Sequence, residues 1–265
     1  MYNEHRSFSP PSDPKASLWR YMDLAKFLAL LEDEALYFAV AANMSDKFEG
    51  ALSSANLEQR KILAESSDHK GWASMQSLIS APLAQLTTRY VYLNCWYESE
   101  HESAAMWGLY QHEGRGIAIR SSFRGLTQCF KTDRLIYAGE VKYVDYSKTP
   151  IPTHTAFDAF IHKRLSFEHE HEVRAVTADQ ETMLEIWHKT SHSYGAGDTI
   201  PHSLDMSADY PAGLNIPIDL AGLVEAVYIS PEAESWFAKL VEKIVRRYGY
   251  AWPIQYSDLS KDPVY

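Results

Sequence analysis

Ser166-Phe167-Glu168-His169-Glu170-His171-Glu172-Val173-Arg174 carries a charged side chain at every second position from Glu168 onward. In an extended strand alternate side chains share a face, so this spacing predicts Glu168, Glu170, Glu172 and Arg174 in one row. His169, His171 and Val173 then point the other way. Carboxylates packed side by side repel one another and resist ionisation unless cations, a ligand or open water lie against them. Lys163 and Arg164 stand just upstream, and Arg174 closes the row. The pattern fits either a charged edge strand or the floor of a polar site, and the basic flanks favour the site.

Outward from that stretch, short apolar runs alternate with amphipathic segments. Leu18-Trp19-Arg20-Tyr21, Leu36 to Val40, Tyr90 to Trp96, Ile117 to Ser122, Ile136 to Asp145, Ala226 to Ser230 and Trp252 to Tyr256 read as strands. Leu24, Phe27, Leu28 and Leu31 share a helical face, and Trp236, Phe237, Leu240, Val241, Ile244, Val245 and Tyr248 define an amphipathic helix. Ser99 followed by Glu102 makes a capping-box pattern ahead of Ala104 to Tyr110. Residues 56–88 have helical composition, and residues 179–213 read as a long loop with one helix. No βαβ rhythm or repeat appears. The expectation is a flexible leader over residues 1–17 and a single α+β domain over residues 18–265. Its core is a mixed or antiparallel sheet with helical insertions.

Composition narrows the function. A length of 265 residues with 46% hydrophobic and 13% aromatic content is that of a packed globular protein. A net charge of -10 argues against a protein that coats nucleic acid or anionic membrane. No segment approaches the roughly 20 apolar residues that cross a bilayer. The two cysteines, Cys95 and Cys129, form neither a zinc spacing nor a disulfide framework, so a cytoplasmic location is expected. His169 and His171 have the spacing of a two-histidine metal contact, but no third ligand is fixed by spacing, and no metal is expected. Asp133 with Glu140 and Lys142 has the acid, acid, lysine order of a metal-dependent nuclease. A Glu and a Lys alternating on a solvent face explain the same residues. Gly114-Arg115-Gly116 precedes a strand and is a tight turn, not a dinucleotide fingerprint.

An ordered series of motifs resembles a bacterial family, domain of unknown function 2971. It comprises Leu18-Trp19-Arg20-Tyr21, Asp46-x-Phe48-Glu49, and Glu102 to Trp107 with Tyr110. Gly116-Ile117-Ala118-Ile119-x-Ser121 and Lys163-Arg164-x-x-Phe167-x-x-Glu170-x-Glu172-x-Arg174 complete it. Many members carry a His two residues after the Met-Trp pair. Leu109 stands there in this chain, so no mechanism resting on that His carries over.

A further resemblance is to the Arg–Ser–Glu class of ADP-ribosyltransferases: Arg20, then Ser121 with Ser122, then Glu170 with Glu172. What that implies is an NAD-consuming transferase or glycohydrolase, of the kind used as a toxin or defence effector. Arg20 then pairs with the pyrophosphate, and Tyr21 lies beside it. Ser121 and Ser122 hold the strand facing the nicotinamide ribose. Glu172 stabilises the ribosyl cation, and Glu170 serves the acceptor, a protein or a nucleic acid. Trp107 or Tyr110 stacks on nicotinamide, while Asp46, Glu49, Lys163, Arg164 and Arg174 support the site. The competing reading is a non-catalytic ligand-sensing or protein-interaction domain, in which the Glu and Arg side chains form an ion-pair network.

Overall fold

The computed structural model describes residues 1–66, 84–110, 114–179, 181–182, 185 and 210–263. Eleven strands are seen among these residues. They are β1 (Ser17–Asp23), β2 (Ala35–Val40), β3 (Val91–Glu98), β4 (Gly116–Ser122), β5 (Tyr137–Glu140) and β6 (Lys142–Val144). The rest are β7 (His162–Arg164), β8 (Glu172–Ala178), β9 (Gly213–Pro217), β10 (Ala226–Ile229) and β11 (Ile254–Tyr256). Six helices accompany them: α1 (Leu24–Asp33), α2 (Ser54–Ser66), α3 (Ala104–Tyr110), α4 (Phe123–Gln128), α5 (Leu220–Leu223) and α6 (Ser235–Arg247).

Nine strands form one sheet in the order β11-β10-β4-β1-β3-β2-β9, with β8 also on β3 and β5 beyond β8. Every pairing in it is antiparallel except β10 with β11. This is a single α+β domain built on a mixed, mostly antiparallel sheet.

One face carries the main core. Leu18 and Met22 of β1, Ile117 and Ile119 of β4, and Val227 and Ile229 of β10 meet Phe237, Val241 and Val245 of α6 there. The apolar stripe of α6 repeats at three- and four-residue intervals, which lays that helix on the sheet as its sequence predicts. α1 starts where the Asp23 carboxylate accepts from the Lys26 amide at 2.8 Å, and it buries Phe27, Leu30 and Leu31.

β3 forks the sheet. β8 pairs with it over seven residues, from Val91 to Tyr97, and so occupies one whole edge. The other edge is shared. β1 pairs there only at Tyr97 and Glu98, and β2 only at Tyr92 and Leu93. Between them, Asn94, Cys95 and Trp96 have no strand partner on that side. Side chains fill the gap: Arg20 Nη1 donates to the Cys95 carbonyl at 2.9 Å, and Asn94 Nδ2 donates to the Tyr37 carbonyl at 2.9 Å. β1 and β2 diverge there.

Several local expectations need correction. Residues 165–170 are a 3-10 turn, His171 has φ 36°, and the strand begins only at Glu172. The left-handed residue breaks the extended run, so Glu168 leaves the row and is exposed with His169 and His171. Ser99 does not cap α3. Ser103 does, its hydroxyl accepting from the Met106 amide at 3.3 Å, because Glu102 is taken by the Trp107 indole at 2.7 Å. Of residues 1–17, expected as a flexible leader, the first nine run along Ile136 and the outer edge of β5, and Ser17 opens β1. The Glu140 amide donates to the Ser9 carbonyl at 2.8 Å, and His5 and Phe8 pack on Tyr137 and Phe157. The loop and helix expected over residues 179–213, and residues 67–83 of the stretch expected as helical, fall largely outside the described residues.

Candidate functional site

On the face opposite the main core, β3 and β8 put Cys95 beside Arg174 and Tyr97 beside Glu172. These polar residues separate two apolar clusters. One gathers Trp19, Tyr21, Met106 and Trp107, and the other Val91, Leu93, Tyr137 and Phe160.

Arg174 is wholly buried, and each of its five N–H groups has a partner. Nε donates to Glu172 Oε1 at 2.6 Å and Nη2 to Glu172 Oε2 at 3.1 Å. Nη1 and Nη2 donate to the two Glu49 oxygens at 2.6 and 2.9 Å, and Nη1 also reaches the Phe160 carbonyl at 2.7 Å. The Lys163 ammonium then bridges Glu172 Oε2, at 3.3 Å, and Glu170 Oε2. Burial opposes the charge on Glu172, yet Arg174 and then Lys163 hold its carboxyl down at about 2. Burial also opposes charge on Arg174 and Lys163. Glu172 above all holds both proton-bound, so each titrates above its usual range. Glu49 goes the other way: burial pushes its carboxyl up despite Arg174.

The network has direction. Glu49 and Glu172 are sealed, whereas the Glu170 side chain is 24% exposed. Three carboxylates, Glu49, Glu172 and Glu170, stand against two cations, Arg174 and Lys163. The surplus negative charge therefore lies at the open end. Glu172 is fixed further by its amide, which donates to the Tyr143 hydroxyl at 2.9 Å, and by the Cys95 thiol. Burial raises that thiol well above its normal range, so Cys95 is a neutral donor here.

Arg20 in the fork and Tyr110 at the end of α3 approach this region. Burial raises the Tyr110 hydroxyl, followed by Cys95 and Glu170, and Arg20 is within electrostatic reach of it. Tyr110 is thus near Glu170 and Glu172, whereas Arg20 leaves β1 on the face of Leu18 and Met22, with its guanidinium 5.9 Å from the Trp96 ring centre, and reaches the fork only through the Cys95 carbonyl. Trp107 is buried, edge-on to Tyr21 at 4.9 Å, and the Tyr21 hydroxyl accepts from the Ser103 amide at 2.8 Å. Neither ring faces outward.

Two predicted residues lie apart. Ser121 pairs with Leu18, which pairs with Glu98, while Glu172 pairs with the adjacent Tyr97. Adjacent residues point to opposite faces, so Ser121 is on the other side of the sheet from Glu172. It is fully buried. Ser122 accepts from the Gly125 amide at 3.2 Å and serves as the N-cap of α4.

The loop from Asp46 to Gly50 is pinned twice, Asp46 to Arg164 Nη2 at 2.7 Å and Glu49 to Arg174. Phe48 projects between these anchors, with the Arg164 guanidinium 4.3 Å from its ring centre. Tyr143 and Cys95 are the members that sequence reasoning missed. Tyr143 gave no signal beyond a place on an apolar strand face, and Cys95 was weighed only for metals and disulfides.

Glu140 lies on β5 and Lys142 on β6. Among the described residues no group of three or more His, Cys, Asp or Glu side chains is arranged to hold a metal ion. No helix among them is long and apolar enough to cross a membrane.

No family model matches the chain, and no curated protein matches it. The resemblance to family 2971 therefore rests on the motifs alone. Among solved structures, DarT of Thermus sp. 2.9 in complex with carba-NAD+ is similar over 93% of this chain and 97% of its own. The identity is 10% and the TM-score 0.36, too low a likeness to carry any inference about activity.

Proposed function

We propose that this protein consumes NAD at the open end of the carboxylate network, as an ADP-ribosyltransferase-like enzyme or an NAD glycohydrolase. One observation carries the reading: a net-negative network ends in a partly exposed carboxylate, Glu170, and Tyr110 stands within electrostatic reach of both that carboxylate and Arg20. Cleavage breaks the bond between the ribose C1′ and the pyridinium nitrogen. The bonding electrons leave on neutral nicotinamide, and positive charge develops on the ribose. A fixed negative charge in a dry setting stabilises that charge more than it stabilises NAD itself.

Glu172 supplies the permanent charge, ionised and immobile between Arg174 and Lys163. Glu170 faces the ligand, contacts the ribose, and takes the proton of the attacking water or acceptor group. Arg20 keeps one Nη on Cys95 and offers its remaining N–H groups to the pyrophosphate. Tyr110 walls the nicotinamide. Ser121 and Ser122 act through the strand and the helix cap they hold.

Nicotinamide release by purified protein tests this. Glu170→Gln should retain the melting temperature and NAD affinity yet lose about 10²–10³ in turnover. Wild-type release that Glu170→Gln leaves unchanged refutes the assignment.

The complete satisfaction of Arg174 favours a second reading, in which the network is a brace inside a non-catalytic interaction domain. Absence of NAD binding at millimolar concentration would select it.

A further inference from the structure

Among the described residues the sheet ends at β11, a strand of three residues with no strand beyond it. In a parallel pair alternate residues bond inward, and here the Val227 amide donates to the Pro253 carbonyl and the Ser257 amide to the Ile229 carbonyl. Residues 253, 255 and 257 therefore face β10, while the N–H and C=O groups of Ile254 and Tyr256 point away from it. The strand reads Ile254-Gln255-Tyr256, with no charge, no internal proline and no bulge, the devices that usually blunt an edge.

The space above that edge is also open. Ile254 and Tyr256 pair with Val227 and Ile229, so their side chains lie on the α6 side of the sheet. α6 stops short of covering them. A groove of about 440 Å³ remains between Ala238 and Val245 on the helix and Trp252, Ile254 and Tyr256 on the chain below. Tyr250 and Trp252 stack at 4.0 Å and 9° and stiffen its end. Lys239, Glu242 and Arg246 rise from the helix wall. Arg246 is held by Glu242 at 2.6 Å, and Lys239 has no ion-pair partner among the described residues.

We propose that this groove docks an extended acidic segment of a partner protein, which adds a strand to β11. Its backbone meets the outward groups of Ile254 and Tyr256. Alternate apolar side chains enter the groove, and acidic side chains meet Lys239 and Arg246. A second copy of this chain is the poorer occupant. Pairing two β11 edges offers the Lys239 of neither copy an acidic partner, because the groove carboxylate, Glu242, is already held by Arg246.

The probe is a fluorescein-labelled nine-residue peptide alternating valine and glutamate, read by anisotropy and by amide exchange. Comparison peptides carry lysine for glutamate, or a central proline. The proposal expects the acidic peptide to bind at least about tenfold tighter than the lysine one and to protect the Ile254 and Tyr256 amides. Lys239→Glu should reverse the charge preference. Tyr256→Pro removes one outward donor at an exposed position without touching the β10 ladder, and should weaken binding about tenfold with the melt unchanged. No binding up to millimolar concentration overturns the proposal. So does equal affinity for both charges, equal affinity in both variants, or self-association through this edge in place of peptide binding. None of these results bears on nicotinamide release.

Discussion

Removing the guanidinium of Arg174 tests the brace most directly. Arg174→Met keeps much of the side-chain volume but abolishes five hydrogen bonds and leaves Glu49 and Glu172 buried, with Lys163 as the remaining cation. Breaking a buried pair by deleting one partner costs about 3–5 kcal/mol, mostly because the abandoned charge stays out of water. For a domain of this size each kcal/mol lowers the melting point by about 2–4 °C, so the expected fall at pH 7 is about 6–20 °C. The loss comes from ionised carboxylates, so it should shrink as pH falls and Glu49 and Glu172 take up protons. Calorimetry of wild type and variant at pH 7 and pH 4 measures both effects. Replacing Glu49 and Glu172 by apolar residues in the same variant should recover much of the stability, because no buried charge is then left alone. A pH 7 melting point within about 2 °C of wild type would refute the reasoning, as would a deficit that grows on acidification.

Two further outcomes follow from the same geometry. Glu172 titrates at about 2 in the folded protein against an ordinary value of 4.5, so its contribution of about 3 kcal/mol is present above about pH 4.5 and lost as pH falls through about 2. Acid unfolding monitored by far-ultraviolet dichroism should show that loss in wild type and not in Glu172→Gln. Gly50 has φ +71°, and an added Cβ there would stand 2.5 Å from the Phe160 ring. Gly50→Ala should destabilise by about 2 kcal/mol or more in a urea titration, and a neutral result would contradict the close approach of this loop to Phe160.

The α+β class was legible because most segments obey one period. β4 alternates Ile117, Ile119 and Ser121 toward the core, and α6 repeats Phe237, Val241 and Val245. The clustering of Glu170, Glu172, Arg174 and Lys163 was legible too, since neighbouring carboxylates demand cations wherever they fold. Their arrangement was not. A left-handed residue at His171 gives no sequence signal, so a turn was read as strand. The face of Ser121 was fixed by its register with Leu18, and register between β1 and β4 comes from long-range packing. The fork is invisible to any local pattern, because it depends on β1 and β2 competing for one edge of β3.

The strand-like course of residues 1–9 along β5 has a consequence in the order of synthesis. Ser9 is made well before Glu140, so its carbonyl waits for that amide, and Phe8 waits for Tyr137 and Phe157. At about 5–20 residues per second, 131 residues separate Ser9 from Glu140 by about 7–26 s. Over that interval His5 and Phe8 leave the ribosome with their ring partners unmade. The same late segment supplies the Phe160 carbonyl for Arg174, so this side of the domain closes in one late step, after the β1–β4 ladder is already available. A nascent chain halted before residue 140 thus holds Arg20 and Glu49 without Glu170, Glu172 or the cations between them.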